Sequence, residues 1–390
     1  MRVLSVKREA ERRFRIGHAW VYANEIDGKL GSMGLIPGEL VEIVCRDQSY
    51  GAAYVNPNTL IAARLLRAPA HGFEVDTWLA QRLRAAIDLR ARLGLRDQCR
   101  LVFGESDGLP GLVVDRYGSV LSAQITTAGM ERMRTPLAAA LKNIAGIGTI
   151  VWRNDASSRA LEGLAGDIEI DGAADATAVI SEGDARFAIA PATGQKTGWF
   201  YDQRDNRARV LPHLKGLRVL DLFSYLGGWG IGAVCAGARE AWCVDSSESA
   251  VDAVRRNASL SGVANRVHAL KADAFDACRQ FKADGQSFDA IVVDPPAFIK
   301  RKKDYDEGAL AYRRINEAAL RLLAPGGLLI SCSCSHHFDE DSLQDALRQA
   351  AHGARRSLSI LMRLAQSADH PEHPAMPETR YLKGFACAVL

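Results

Sequence analysis

Apolar and polar positions alternate in blocks through the second half of the chain. Five short apolar runs predict strands, at residues 218–222, 241–245, 267–271, 290–294 and 328–333. Segments between them have the period of amphipathic helices, at residues 229–236, 249–260 and 311–323. Because strands that alternate with helices pair in parallel, we predict an α/β fold with a doubly wound sheet that binds ligands at the carboxyl ends of its strands.

The first part of the chain carries shorter and more mixed elements. Predicted strands at 41–44 and 51–55 are followed by a helix at 75–93, a hairpin across 100–118, strands at 121–125 and 149–152, and a helix at 132–144. We therefore divide the chain into a small β-rich domain at 1–70, a small central α+β domain at 71–185 and an α/β domain at 186–390.

The composition is that of a globular protein, with 48% hydrophobic and 24% charged residues. The eight cysteines show no disulfide-framework spacing and several lie in apolar runs, which indicates reduced thiols in a reducing compartment. The charged amino-terminal residues lack the apolar core of a signal peptide, and no run of about eighteen apolar residues predicts a membrane span. We therefore expect a cytoplasmic protein without a membrane partner.

Basic residues are concentrated near the start of the chain. The net charge is only +3, but residues 2–15 carry six basic side chains against two acidic ones. This run is either the solvated face of a helix or a surface that contacts phosphates. The sequence leaves both interpretations open.

A glycine-rich segment follows the first strand of the α/β domain and reads Asp221-Leu-Phe-Ser-Tyr-Leu-Gly-Gly-Trp-Gly230. Its glycines allow the backbone to approach a ligand at the amino end of the next helix. The spacing is not GxGxxG and GK[ST] is absent, which argues against dinucleotide and phosphate-loop sites. Asp245 and Asp273 end the next two strands, where carboxylates can accept hydrogen bonds from a ribose diol and an adenine amino group. Three carboxylates at successive strand ends are harder to explain as unrelated helix caps than as a cofactor site.

The fourth strand ends in Asp294-Pro-Pro-Ala-Phe298, the most specific short motif of the chain. The two prolines stiffen the turn and hold the carboxylate and the aromatic ring in fixed geometry. An acceptor, a rigid turn and an aromatic ring suit a planar base that has been flipped out of a nucleic acid. We therefore expect Pro295, Pro296 and Phe298 to contact the substrate.

The order of these motifs resembles class I methyltransferases, and in particular the large-subunit rRNA cytosine-C5 methyltransferases of the RlmI type. The likeness extends over almost the whole chain and includes these further segments: Gly17-His-Ala-Trp-Val21, Glu105-Ser-Asp-Gly-Leu-Pro-Gly111, Lys196-Thr-Gly-Trp-Phe-Tyr-Asp-Gln-Arg204, Ser333-Cys-Ser335, Ala368-Asp-His-Pro371 and Tyr381-Leu-Lys-Gly-Phe385. The resemblance implies a PUA-type RNA-binding domain, a central α+β domain and a Rossmann-like catalytic domain. It also implies rRNA of the large subunit as partner. The sequence leaves open whether the protein forms a homodimer.

The resemblance also implies the cofactor and its ligands. S-Adenosyl-L-methionine is the expected methyl donor, and no metal is expected. The residues that would contact it are Lys196, Thr197, Phe200, Gln203, Arg204, Asp221, Phe223, Ser224, Gly227, Asp245, Ser246, Asp273, Ala274 and Asp294.

A cysteine-rich segment, Ser331-Cys-Ser-Cys-Ser-His-His337, ends the fifth strand. Cytosine C5 is a poor nucleophile, and a thiolate added at C6 would activate it. A free thiol is only about 3% ionised at neutral pH, so the site must favour the thiolate. Aligned with the family's Ser-Cys-Ser, the nucleophile is Cys334.

Three other interpretations of this segment stay open. Cys332 is a second candidate nucleophile, although its deeper position in the strand favours a core residue. The Cys and His residues could bind zinc, but a second half-site with the usual spacing is not apparent. Cys334 could also be an inert buried thiol. The base that removes the C5 proton is not identified, and Asp294 is a candidate if it reaches C5 directly or through water.

The sequence thus supports three functions. The leading hypothesis is an S-adenosylmethionine-dependent enzyme that forms 5-methylcytosine in large-subunit rRNA through a covalent Cys334–C6 adduct. The second is an RNA methyltransferase that modifies a base nitrogen without a thiol step. The third is a non-catalytic RNA-binding factor for ribosome assembly.

Overall fold

The structure, a computed structural model, describes residues 1–144, 146–195 and 197–390. The chain forms two compact units, each built from three segments. The first unit comprises Met1–Ala178, Ile189–Tyr201 and Ala368–Thr379. The second comprises Val179–Ala188, Asp202–Ser367 and Arg380–Leu390. The predicted division at residues 70 and 185 stays a prediction.

The first unit begins with a five-stranded sheet. Its elements are β1 (Arg2–Ser5), α1 (Arg8–Arg15), β2 (Trp20–Tyr22), β3 (Glu39–Cys45), β4 (Gln48–Val55) and β5 (Ile61–Leu65), with the strands in the order β1-β3-β4-β5-β2. In β3 the buried side chains of Val41, Ile43 and Cys45 alternate with partly exposed ones, as expected for a strand with one face on the core. The basic run at 2–15 therefore forms a strand and a helix, and α1 buries only Ala10 and Phe14.

A second five-stranded sheet follows in the same unit. Its elements are α2 (Val75–Arg92), β6 (Gln98–Phe103), β7 (Leu112–Tyr117), β8 (Val120–Ile125), α3 (Ala128–Arg132), α4 (Arg134–Lys142), β9 (Thr149–Asn154) and β10 (Asp167–Asp171), with the strands in the order β10-β9-β8-β7-β6. The predicted hairpin at 100–118 is confirmed, because β6 and β7 pair antiparallel. The predicted helix at 132–144 corresponds to α4, and the short helix α3 before it, which the Thr127 hydroxyl caps, was not predicted.

The segment Ala368–Thr379 completes this unit from far along the sequence. The Asp369 carboxylate accepts a hydrogen bond of 2.9 Å from the Arg100 backbone N–H, and its carbonyl accepts one of 2.8 Å from the Arg90 guanidinium. Arg90 also forms a buried ion pair with Asp107. The late segment is therefore held by buried polar contacts.

The second unit contains a β-hairpin, most of the helices and a seven-stranded sheet. Its elements are β11 (Ala178–Glu182), β12 (Ala185–Ile189), α5 (Arg204–Val210), β13 (Arg218–Leu222), α6 (Gly228–Cys235), β14 (Glu240–Asp245), α7 (Glu248–Leu260), β15 (Val267–Lys271), α8 (Ala274–Ala283), β16 (Phe288–Val293), α9 (Tyr305–Leu322), β17 (Leu323–Ser333), α10 (Glu340–Ala354), β18 (Leu358–Ala365) and β19 (Lys383–Val389). The sheet order is β15-β14-β13-β16-β17-β19-β18.

The predicted α/β class is confirmed, since β13 to β17 pair in parallel. The sheet is nevertheless mixed, because β19 lies antiparallel to both β17 and β18. The sequence analysis missed β18, β19, α8 and α10. Edge strand β18 exposes most of its side chains, including Ile360 and Leu361, and the polar Ser359 and Arg363 interrupt its apolar residues. None of the helices within the described ranges is long and apolar enough to cross a membrane.

Candidate active site

Four predicted site residues lie along the carboxyl edge of the parallel strands. They are Asp221 in β13, Asp245 at the end of β14, Asp294 directly after β16 and Cys334 directly after β17. Because β14, β13, β16 and β17 are neighbours in the sheet, these four positions form one continuous edge.

The loop between β13 and α6 has an unusual backbone. Phe223 and Tyr225 have left-handed φ values of 63° and 49°, which side chains other than glycine rarely adopt, and Gly227 follows at 85°. Each left-handed non-glycine residue costs about 1–3 kcal/mol, and such strain is typical of ligand sites. The Gly230 backbone N–H donates to Asp221 Oδ2 at 2.9 Å, which ties the start of α6 to β13.

Two polar atoms in this loop region are buried without a hydrogen-bond partner among the described residues. They are Asp221 Oδ1 and Ser224 Oγ. Burial raises the pKa of Asp221 to about 8. An unsatisfied buried polar group costs about 1–3 kcal/mol, so both atoms fit a ligand that supplies polar partners. The residues present therefore fit the polar groups of S-adenosylmethionine.

Asp245 is oriented by the backbone at the end of β14. Its Oδ2 accepts from the Tyr225 N–H and its Oδ1 from the Ser247 N–H, each at 2.9 Å. Each carboxylate oxygen can accept a further hydrogen bond, as binding of a ribose diol requires. The neighbouring Ser246 is exposed.

Asp273 is exposed and serves as the N-cap of α8. Its Oδ1 accepts from the backbone N–H groups of Phe275 at 2.8 Å and Asp276 at 3.2 Å. Ala274, the first residue of α8, is buried. The structure thus shows Asp273 in the capping role, which leaves Oδ2 as the oxygen for any ligand contact.

The segment 196–204, predicted to contact the cofactor, is divided between the two units. Lys196 lies outside the described residues. In the first unit Thr197 is buried with its hydroxyl bonded to Asp115, and Phe200 is half-buried. In the second unit Gln203 is buried, and Arg204, half-buried, begins α5.

The Asp294 carboxylate is held by two donors. Its Oδ2 accepts from Gln203 Nε2 at 3.0 Å and from Trp229 Nε1 at 3.2 Å. Burial, with a smaller contribution from the negative charge of Asp202, raises the pKa of Asp294 to about 6. A fixed carboxyl group with a pKa near neutrality can exchange protons with a substrate. The sequence analysis gave Trp229 no role, although the glycine-rich segment contains it.

The loop of Asp294-Pro-Pro-Ala-Phe298 is tied to the segment that follows β17. Cys334 Sγ lies 4.0 Å from the Pro295 carbonyl oxygen. The Ser335 hydroxyl oxygen accepts from the Ile299 N–H at 3.1 Å and lies 2.9 Å from the Tyr312 hydroxyl. Cys334 is therefore next to the loop that was predicted to hold the target base.

The two cysteines of this segment differ in environment. Cys332 is fully buried, and burial raises its pKa well above the ordinary thiol value. Cys334 is partly exposed. Cys334 is thus the more exposed of the two, and its role as the nucleophile stays a prediction.

The predicted substrate contacts have mixed environments. Pro295 is buried and Pro296 is exposed. The Phe298 ring is partly buried against the sheet core, with its centroid 4.8 Å from that of Tyr312 and 6.2 Å from that of Phe223. Its stacking on a base stays a prediction. Within residues 1–144, 146–195 and 197–390, no cluster of three or more His, Cys, Asp or Glu side chains could hold a metal ion.

Comparison with known proteins places the chain in a family. Residues 150–384 match the family model of S-adenosylmethionine-dependent methyltransferases, and residues 4–68 match that of PUA-like domains. A solved structure of a putative S-adenosylmethionine-dependent methyltransferase from Streptococcus mutans has a TM-score of 0.82, with 18% identity and full coverage of both chains. This structure supports the fold alone.

Curated relatives are closer in sequence. Ribosomal RNA large subunit methyltransferase I from Erwinia tasmaniensis is 36% identical over 382 residues, covering 96% of each chain. The protein of the same name from Klebsiella pneumoniae is 34% identical over 384 residues, covering 96% of this chain and 94% of its own. This chain therefore belongs to the S-adenosylmethionine-dependent methyltransferase family.

Proposed function

We propose that this enzyme methylates C5 of a cytosine in large-subunit rRNA, with Cys334 as a transient covalent nucleophile. The observation that carries the proposal is the partly exposed Cys334 sulfur, 4.0 Å from the Pro295 carbonyl in the loop after Asp294. The names of the curated relatives support the rRNA substrate. The PUA-like match at residues 4–68 supports an RNA partner.

S-Adenosylmethionine supplies an electrophilic methyl group. Asp221 and Ser224 would hold its polar groups through their unpartnered buried atoms, and Asp245 would hold a ribose diol. Other proposed contacts are Lys196, Thr197, Phe200, Gln203, Arg204, Phe223, Gly227, Ser246, Asp273, Ala274 and Asp294.

The chain's own chemistry centres on Cys334. Its thiolate adds to C6 of cytosine, which forms an S–C6 bond and moves an electron pair to C5. Once C5 carries the methyl group, a base removes the C5 proton, the S–C6 bond breaks and the thiolate leaves. Pro295, Pro296 and Phe298 would line the side on which the base enters.

We propose Asp294 as the base. A group whose pKa lies at about 6 is mostly ionised at neutral pH, yet it accepts a proton more readily than an ordinary carboxylate. The donors Gln203 and Trp229 fix its orientation. We also propose a cytoplasmic location, and a homodimer stays an open expectation.

The test uses Cys334→Ala and a matched control, Cys235→Ala, which removes the other thiol that is not fully buried. We expect Cys334→Ala to lose 5-methylcytosine formation in rRNA while it still binds S-adenosylmethionine by calorimetry. Wild-type enzyme and the control should form a denaturation-resistant adduct with RNA that contains 5-fluorocytosine. Full activity of Cys334→Ala would refute the covalent mechanism.

The same assays separate the two alternative functions. Methylation at a base nitrogen without any adduct would identify the nitrogen methyltransferase, for which Asp294 could accept a hydrogen bond from an amino group. Absence of S-adenosylmethionine binding in the wild-type chain would identify the non-catalytic assembly factor. Mapping 5-methylcytosine in rRNA from cells with and without the protein identifies the modified nucleotide.

A further inference from the structure

Lys383, the first residue of β19, is a buried cation. Only 6% of its surface is exposed. Its Nζ donates to the carbonyl oxygen of Ser335 and, at 2.9 Å, to that of Tyr381. Among the described residues, no carboxylate lies within ion-pair distance of it. A buried ammonium without a counterion is costly, so its retention calls for an explanation.

The strand register brings Lys383 to the end of β17. Lys383 pairs with Ser333, and Cys334 and Ser335 come directly after Ser333. An ammonium group has three N–H donors, and two of them are directed at the carbonyls of Ser335 and Tyr381. Within the described part of the chain the third donor has no acceptor. These contacts place the ammonium group beside the segment that contains Cys334.

The charged groups near Lys383 form hydrogen bonds with other residues. Asp339 is exposed and caps α10 through the Ser342 N–H at 2.8 Å, and Arg380 pairs with Glu340 at 2.8 Å. Burial lowers the pKa of Lys383 to about 8, and a negative charge on Cys334 is the largest effect that opposes this lowering. Asp339 opposes it less strongly.

Two other buried titratable groups near Cys334 carry no positive charge. Tyr312 on α9 has its pKa raised by burial to about 12, and Cys332 is a buried thiol with a raised pKa, so both stay neutral at physiological pH. His336 and His337 follow Cys334 and are exposed. Lys383 is a buried cation whose pKa is affected by the charge of Cys334.

We propose that Lys383 is a positioning residue for the methyl transfer: its ammonium group stabilises the thiolate of Cys334 and so prepares the sulfur for attack on C6. The inference rests on the proposed function, in which Cys334 is the nucleophile. It adds the source of the positive charge that a thiolate nucleophile requires. No bond forms or breaks at Lys383.

The test follows alkylation of Cys334 by iodoacetamide as a function of pH, with mass spectrometry of the Cys334 peptide as readout. Wild type is compared with Lys383→Met and Lys383→Gln, which remove the charge, and with Lys383→Arg, which keeps it. Gln also keeps a donor for the Ser335 carbonyl. Removing a cation disfavours the thiolate, so in both neutral variants the pH midpoint should rise by about one unit or more. At neutral pH their alkylation should then slow about tenfold.

Lys383→Arg should keep the midpoint near that of the wild type. An unchanged midpoint in Lys383→Met and Lys383→Gln would overturn the proposal, since a purely structural role alters stability but not thiol titration. If the neutral variants do not fold, the reciprocal measurement decides. Cys334→Ala should lower the pH midpoint at which acetic anhydride acetylates Lys383, and an unchanged midpoint there would equally refute the interaction.

These measurements need neither RNA nor methyl donor. Their failure is therefore distinguishable from failure of the proposed function, which is tested by the 5-fluorocytosine adduct and by mapping of 5-methylcytosine. A shifted thiol titration without an adduct would retain the Lys383–Cys334 interaction and reject C5 chemistry. An adduct with an unshifted titration would support C5 chemistry and refute the Lys383–Cys334 interaction.

Discussion

Ser224 and Asp221 each keep one polar atom buried and without a partner among the described residues. Such atoms destabilise the free protein, and a ligand that supplies polar partners recovers this cost. The atoms lie on the same loop as the left-handed residues Phe223 and Tyr225. The loop is therefore shaped for a ligand at some cost to the stability of the free protein.

Removing the Ser224 hydroxyl should weaken binding of the cofactor without destabilising the fold. We expect Ser224→Ala to bind S-adenosylmethionine about fivefold more weakly, which corresponds to about 1 kcal/mol for one hydrogen bond. The matched control is Ser122→Ala, which removes another buried, unpartnered hydroxyl from β8 in the first unit. Calorimetry should show wild-type affinity for the control. Equal affinity for Ser224→Ala would exclude the contact.

The raised pKa of Asp221 predicts that the free energy of unfolding falls as the pH rises. A carboxyl whose folded pKa of about 8 exceeds its unfolded value favours the folded state at low pH, and this contribution is lost as pH rises toward 8. In Asp221→Asn the free energy of unfolding should therefore decline less between pH 5 and 8, by about 1.4 kcal/mol for each pH unit. Urea unfolding without ligand measures the difference. Parallel pH profiles would refute the raised pKa.

At the scale of elements, the loop after Phe298 adds a basic surface to the site edge. Lys300 and Lys302 are exposed, and neither has a hydrogen bond or ion pair with a described residue. Arg301 between them pairs with Asp304 at 3.1 Å. The loop begins beside the segment that contains Cys334, because the Ile299 N–H donates to the Ser335 hydroxyl oxygen.

These lysines should contact RNA phosphates near the target base. In Lys300→Gln/Lys302→Gln, we expect weaker RNA binding and a salt slope reduced by about two, since each phosphate contact contributes about one. The control is Lys215→Gln/Lys282→Gln. Its lysines are also exposed but lie before β13 and at the end of α8, by the opposite edge of the sheet. Equal slopes for the two double variants would argue against the contact.

The elements also show where sequence reasoning succeeds. The central strands β13 and β16 are buried on both faces and read as apolar runs, so they and the polar residues at their ends could be predicted. Helices α8 and α10 were missed although Asp273 and Asp339 cap them. The bond from Gln203 to Asp294 joins residues 91 positions apart, and such tertiary contacts leave no local pattern.

At the scale of the whole molecule, each unit is assembled from three separate segments. Sequence reasoning produced contiguous domains because composition and periodicity are local properties. The motif Ala368-Asp-His-Pro371 was noticed only as a resemblance. The structure gives this motif a physical role, because the fully buried Asp369 supplies hydrogen-bond acceptors to Arg90 and Arg100 of the first unit.

Removing this carboxylate should destabilise the protein. In Asp369→Ala the Arg100 N–H and the His370 ring lose a buried acceptor, and we expect a loss of about 2–4 kcal/mol in the free energy of unfolding. Denaturant unfolding of the full chain measures it. Asp175→Ala, at an exposed site in the same unit, should change stability by no more than about 0.5 kcal/mol. A similar small change in Asp369→Ala would contradict the inference.

The late segment Ala368–Thr379 also bears on how the protein is made. Residues 1–178 leave the ribosome long before residue 369 is synthesised. The hydrogen bonds from Arg90 and Arg100 to Asp369 therefore form only after most of the second unit has been translated. The nascent chain thus holds an unfinished amino-terminal fold for most of its synthesis. Final consolidation of that fold is a late event in biogenesis.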